Sequence, residues 1–154
     1  MEIRRLVEED VEPLVDDLWL PFAREMAALD AYNALADDLR ADALAYRRER
    51  PADDAATFVA DDGGLVGYTA VSYTEPPPVF ARGPEASIEE VYVAPERRGE
   101  ELATALLERA EAWARERGCE RATLSVNADN DAARALYEDR GYGVRRLKMD
   151  RRLD

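Results

Sequence analysis

The stretch from Ser87 to Val126 limits the choice of fold more than any other part of this chain. Ser87 to Val93 is a run of strand formers, and beyond Pro95 the residues Leu102, Leu106, Ala110 and Trp113, flanked by Ala103, Leu107 and Ala114, recur at three- and four-residue steps. That period makes a helix with a broad apolar stripe, and Gly118 is the residue type that ends one. Arg121 to Val126 then reads as another strand. Strand, helix and strand in this order form a crossover, which forces the two strands to lie parallel.

The rest of the chain supplies a sheet and its helical cover. Ile3 to Val7 reads as a first strand, and Glu8, Glu9 and Asp10 suit the positive end of a helix. Val11, Leu14, Val15, Leu18, Trp19, Phe22 and Met26 follow at helical spacing, with Pro13 in the first turn and Pro21 expected to kink or divide the helix. Leu35 to Arg48 predicts a second helix, ended by Pro51-Ala52-Asp53-Asp54. Thr57 to Ala60 and Leu65 to Tyr73 form a hairpin around Asp61-Asp62-Gly63-Gly64, and the prolines from Pro76 to Pro84 make an exposed loop. Asp131 to Arg140 is a short helix closed by Gly141, and Tyr142 to Leu153 a final extended segment. No repeat, low-complexity tract or linker interrupts the 154 residues, so residues 1–154 are expected to form a single domain.

Composition removes several kinds of chemistry. There is no histidine, which excludes Ser-His-Asp and Cys-His catalysis and His-rich metal sites, and no metal is expected. Cys119 is the single cysteine and forms no intramolecular disulfide. A net charge of -13 argues against binding nucleic acid, and no apolar run approaches the roughly 20 residues that cross a bilayer. The acidic start from Glu8 is unlike a signal peptide, so a cytoplasmic location is expected. So acidic a surface, with Lys148 the only lysine, fits a salt-adapted host as well as it fits a GC-rich genome.

The crossover carries one candidate site. The first N-H groups of the helix after the strand from Ile88 to Val93 have no partner within the helix, and Arg97, Arg98 and Gly99 lie at the turn before it. Backbone donors, two guanidiniums and a glycine that permits close approach together suit a pyrophosphate.

Around this turn the sequence resembles the GNAT acetyltransferase family, over nearly the whole chain and most closely from Ile88 to Leu153. Val91 to Ala103 lies over the family's strand and its Arg/Gln-x-x-Gly-x-Gly/Ala loop, with Arg98 at the first motif position and Ala103 at the last. Asn127-Ala128-Asp129-Asn130, Leu136-Tyr137 and Gly141-Tyr142 look like its second signature. The resemblance implies a mixed α/β, three-layer fold. Its twisted mixed sheet would have about six or seven strands flanked by about four helices, in the order β-α-α-β-β-β-α-β-α-β. It implies acetyl-CoA as cosubstrate, bound by Val91, Tyr92, Val93, Arg98, Gly99, Glu100, Glu101, Leu102, Ala103, Thr104, Asn130 and Tyr137. The middle glycine of the loop motif is Glu101 here, a carboxylate that must point outward or pair with Arg97.

In the implied reaction an amine attacks the thioester directly. The carboxylates nearest the acyl group are Glu89 and Glu90; side chains alternate along a strand, so at most one serves as base, Glu90 preferred. Backbone donors of Val91 to Val93 would pair the pantetheine arm and stabilise the thioester oxygen, Tyr137 would protonate the departing thiolate, and Asn130 would bond the coenzyme arm. Without the family, Tyr137 reads as a core aromatic and Asn130 as a helix cap.

The acceptor is expected to be a primary amine on a small molecule, peptide or protein. The acids of Asp16 to Asp42 among Trp19, Phe22 and Tyr32 suit a cationic one. The terminal Arg145, Arg146, Lys148, Arg151 and Arg152 read as a strand's polar face or as an attraction for a coenzyme phosphate. A homodimer is compatible with the sequence. Two other readings compete: a module that holds acyl-CoA without turnover, and an acidic protein that binds a basic partner.

Overall fold

The computed structural model describes residues 1–50 and 53–154. Strands β1 (Glu2–Arg5), β2 (Ala55–Asp61), β3 (Leu65–Thr74), β4 (Glu85–Val93) and β5 (Arg121–Leu124) form one sheet in the order β1-β2-β3-β4-β5. The first four pair antiparallel and β4 pairs parallel with β5, as a helical crossover demands. That crossover is α3 (Leu102–Glu116).

Alternation along the strands sends neighbouring residues to opposite faces and so builds two cores. On one face Val59, Tyr68 and Tyr92 meet Val11, Leu14, Val15, Leu18 and Leu44. On the other Phe58, Val71 and Ile88 meet Leu107, Ala110 and Trp113 of α3. The result is three layers, a mixed sheet between helices. α3 lies close at Gly67, where an added Cβ would stand 2.9 Å from the Tyr92 carbonyl oxygen and 3.2 Å from Leu106.

The first helical run, α1, is continuous through Pro21. It comprises a 3₁₀ turn, Glu8–Asp10, an α turn, Val11–Pro13, a π stretch, Leu14–Trp19, and an α segment, Leu20–Leu29. Proline has no N-H to donate, and the wider π turns before it absorb the misfit where a break was expected. α2 (Arg40–Arg48) starts five residues later than the spacing from Leu35 predicts, because Asp38 adopts φ 50°, which a helix cannot contain. Pro51 and Ala52, read as its end, lie outside the described residues. α4 (Asp131–Asp139) is the short helix closed by Gly141.

Five strands replace the six or seven expected among the described residues. Tyr142 to Leu153 is no strand: beyond Tyr142 it joins no ladder and makes no hydrogen bond or ion pair among the described residues. β5 likewise stops at Leu124, and its outer edge is unpaired among the described residues. Among the described residues no helix is long and apolar enough to cross a membrane.

Candidate active site

β4 pairs with β5 only from Glu85 to Ile88, whereas its ladder with β3 continues to Val93. The two parallel strands therefore part after Ile88, and the backbone edge of Glu89 to Val93 on that side has no strand partner among the described residues. Donors and acceptors on an unpaired edge are free for an extended ligand.

A second irregularity falls at the same place. Ala70 stands opposite Glu90 and Val71 opposite Ile88, so Glu89 is an extra residue on β4, a bulge. A bulge breaks strict alternation. Glu89 and Glu90 both line one cavity of about 370 Å³, with Trp19 of α1 and Ala43, Tyr46 and Arg47 of α2. The strict alternation from which at most one glutamate was expected to serve as base therefore does not hold here, and both border the cavity.

The two carboxylates are held differently. Arg50 donates to both oxygens of Glu89 at 3.1 Å, and the Tyr46 hydroxyl donates to Oε2 at 3.2 Å. Burial pulls the Glu89 carboxyl upward, but hydrogen bonds from Arg50, Ser72 and Tyr46 outweigh it and hold the group below its ordinary range. Glu90 accepts from Arg47 Nη2 at 2.5 Å through Oε2 alone. No other hydrogen bond to Glu90 is fully formed among the described residues, although the Tyr68 hydroxyl stands within reach of its carboxylate. Arg47 is 1% exposed at its side chain, against 15% for Glu90, and its guanidinium lies 5.3 Å from the ring centres of Tyr46 and Tyr68. Burial, then the charge of Glu90, push the Tyr68 phenol well above its usual value. Arg47, Arg50 and Tyr46 escaped sequence reading. The one available signal was an arginine on the same helical face as Ala43, Tyr46 and Arg50, which reads equally well as charge at a helix C-terminus.

The turn after β4 leads straight into α3. Arg98 donates to the Val93 carbonyl at 3.0 Å, lies 5.3 Å from the Tyr92 ring centre and grips both oxygens of Glu25. Arg97 bonds Glu100 and pairs with Asp62 at 3.0 Å. It does not pair with Glu101, contrary to the alternative raised from sequence. Gly99 has φ 85° and Glu101 φ 62°, both left-handed. Glycine belongs at such a position, which gives the physical reason for the motif glycine that Glu101 replaces. The Glu101 side chain is exposed and caps nothing, so the N-H groups of Leu102, Ala103 and Thr104 open α3 without a side-chain partner.

Asn130 caps α4, its Oδ1 accepting from Ala133 N at 3.2 Å. Tyr137 packs against the same cluster as Val91 and Leu124, where β4 and β5 part, and meets Tyr142 edge-on at 6.0 Å. Burial pushes its phenol above the ordinary value, so it keeps its proton at neutral pH. Trp19 also walls a second hollow of about 250 Å³ with Phe22, Met26 and Leu35, while Tyr32 is 78% exposed and lines neither.

Comparison with known proteins gives a consistent result. Residues 13–142 match the model of the acetyltransferase (GNAT) family. An uncharacterized N-acetyltransferase of Archaeoglobus fulgidus is 31% identical over 148 residues, 89% of each chain. A streptothricin acetyltransferase of Streptomyces lavendulae is 37% identical over 91 residues, 58% of this chain and only 45% of that relative's length. Among solved structures, a Bacillus halodurans protein superposes with TM-score 0.87 over 99% of this chain and 100% of its own, at 16% identity. A predicted acetyltransferase of Clostridium acetobutylicum, crystallised with acetyl-CoA, does so with TM-score 0.75 over 97% and 95%, at 19% identity.

Proposed function

We propose, from the premise that this chain belongs to the acetyltransferase (GNAT) family, that it moves an acetyl group from acetyl-CoA to a primary amine by direct attack on the thioester. The observation that carries the proposal is the unpaired edge of β4 from Glu89 to Val93, which ends at the open N-terminus of α3. A pantetheine arm matches the first and a pyrophosphate the second. The amide groups of Val91 to Val93 bond the arm, Arg98, Gly99 and Leu102 to Thr104 surround the phosphates, the Glu100 carboxylate stays on Arg97, and the exposed Glu101 carboxylate turns to solvent.

The acceptor amine enters the cavity beside Glu89 and Glu90, between the rings of Trp19 and Tyr46, which suits an amine on an apolar body. Glu89 has both oxygens engaged and serves as a fixed negative charge. Glu90 keeps Oε1 and takes the ammonium proton, directly or through one water. The amine nitrogen then bonds the carbonyl carbon as the carbon-sulfur bond breaks, and the second proton on that nitrogen passes to solvent, which also reprotonates Tyr137. A backbone N-H of Val91 to Val93 bonds the carbonyl oxygen, and Tyr137 gives its proton to the leaving thiolate. Asn130 has an unused Nδ2 to offer the coenzyme, and no step calls for a metal.

Thiol release from acetyl-CoA should be followed against small amines, amino acids, peptides and streptothricin, which a relative is named for, in low and high salt. Turnover with at least one amine, lost in Glu90→Gln, supports the proposal. A thermal shift with acetyl-CoA but no thiol release would favour a module that only holds the coenzyme. No shift at all would end the reading.

A further inference from the structure

Trp19 walls two hollows of opposite chemistry. The cavity of about 370 Å³ carries Glu89 and Glu90, with Arg47 bound to the second of them. The hollow of about 250 Å³ is lined by Phe22, Met26, Leu35 and two alanines, its one polar side chain is the Asn33 amide, and no charged residue among the described ones lines it. Ala34 and Leu35 on its wall are exposed, and Trp19, Phe22 and Met26 are only half-buried. Apolar side chains grouped around a hollow that meets water mark a binding surface.

The apolar hollow is held in shape by the chain around it. Trp19 closes the π stretch of α1, and π turns are rare and gather at functional sites. After α1 ends at Leu29, the turn Ala31–Asn33 brings Asn33, Ala34 and Leu35 back against the helix. Asp30 fixes that turn with both oxygens: Oδ1 accepts from the Tyr32 N-H at 3.0 Å and Oδ2 from Asn127 Nδ2 at 2.9 Å. Asn127 lies between β5 and α4, so this bond ties the wall of the hollow to the corner where β4 and β5 part. A hollow that shares Trp19 with the Glu89 and Glu90 cavity and is clamped to that corner opens on the same cleft. An apolar cavity of roughly 150 Å³ takes a benzene ring, so about 250 Å³ has room for a six-membered ring or a branched alkyl group.

We infer that one molecule reads both hollows: a primary amine whose ammonium group sits at Glu89 and Glu90 and whose far end, a ring or branched alkyl group a few carbons away, fills the hollow beyond Trp19. Phe22, Met26 and Leu35 are then the residues that decide which amines are taken. The inference rests on the acetyl transfer proposed above for the fate of the amine, and on the two hollows alone for which amine binds. Small amphipathic amines share this chemistry with the amino terminus of a peptide that begins with an apolar residue. A polyamine or an amino sugar would have to strip water from charges or hydroxyls against walls that offer only the Asn33 amide. One methylene in a formed apolar pocket discriminates roughly 10- to 200-fold, and because this hollow is open to water a six-carbon group should count for about a hundredfold.

Binding can be read without turnover. The chain has two tryptophans, and Trp113 lies in the opposite core, so Trp113→Phe leaves Trp19 as the reporter. Cyclohexylethylamine, which absorbs no near-ultraviolet light, should change Trp19 fluorescence with a Kd about a hundredfold below those of ethylamine and spermidine. Leu35→Asp, which puts a charge on the apolar wall, should weaken it at least about tenfold. Ala34→Phe, which fills the hollow from an exposed position, should do the same and covers misfolding of the aspartate variant. A leucine-initiated peptide amide titrated beside it separates the two sources: tighter binding of the peptide assigns the site to chain termini, and of cyclohexylethylamine to free amines. Thiol release from acetyl-CoA with the same amines separates the inference from the reaction. Discrimination in binding with no release from any amine keeps the inference and removes the reaction. Release with equal kcat/KM for ethylamine and cyclohexylethylamine keeps the reaction and overturns the inference. Cyclohexylethylamine bound no more tightly than ethylamine, or bound equally well by both hollow variants, would overturn it too.

Discussion

Replacing Arg47 by Met tests the core of the cavity beside Glu89 and Glu90. The side chains are similar in length, so packing is nearly kept while the guanidinium that meets Glu90 at 2.5 Å is lost. Removing one partner of a buried ion pair costs about 3 to 5 kcal/mol. The 15% exposure of Glu90 and its place on a cavity put this case at the low end. Arg47 Nη1 is buried with no hydrogen bond among the described residues, and losing that group returns about 1 kcal/mol. The net is a loss of about 2 kcal/mol at pH 7, or roughly 4 to 8 °C in Tm for a chain of this length. Urea unfolding should show a lower midpoint with an unchanged slope. Adding Glu90→Gln should recover about half of the loss, since the amide removes the charge left without a counterion. A single variant that costs less than about 0.5 kcal/mol, or a double variant no more stable than the single, would refute the reasoning that the pair is desolvated and coupled.

Three further outcomes are expected. Tyr137→Phe should lower kcat about a hundredfold while the acetyl-CoA dissociation constant, read by thermal shift, stays within about twofold; unchanged turnover would remove its role as acid. Glu101→Gly should tighten acetyl-CoA about fivefold in dilute salt by relieving both the left-handed backbone and the carboxylate beside the phosphates, with the gain narrowing in molar salt. The hydrogen bond from Arg4, against the cost of burial and with help from the Val7 N-H, holds the Asp10 carboxyl below its ordinary value. Its stabilisation is therefore complete above about pH 4 and lost as pH falls through the lowered folded value. Asp10→Asn should flatten that acid limb, and an unchanged limb would place the acid sensitivity elsewhere.

Periodicity alone determined most of the framework. Leu102 to Ala114 could be buried only as a helix stripe, the strands on either side had to run parallel, and Asp61 to Gly64 had to turn. These follow from local geometry, and short-range geometry is written in the order of residues. The turn proposed to hold a pyrophosphate is contiguous for the same reason, because Arg98, Gly99 and the first turn of α3 are neighbours in the chain. Tertiary structure decided what depended on distant partners. The bulge that brings Glu89 and Glu90 into one cavity arises from the register of β4 on β3, and nothing between Glu85 and Val93 announces it. Arg47 and Arg50 became counterions only when α2 settled over β4, some 40 residues further on. The fate of Tyr142 to Leu153 turned on whether a neighbouring strand was within reach. Alternation gave it the character of a strand, but a ladder needs a second edge, and edges are supplied by assembly in space.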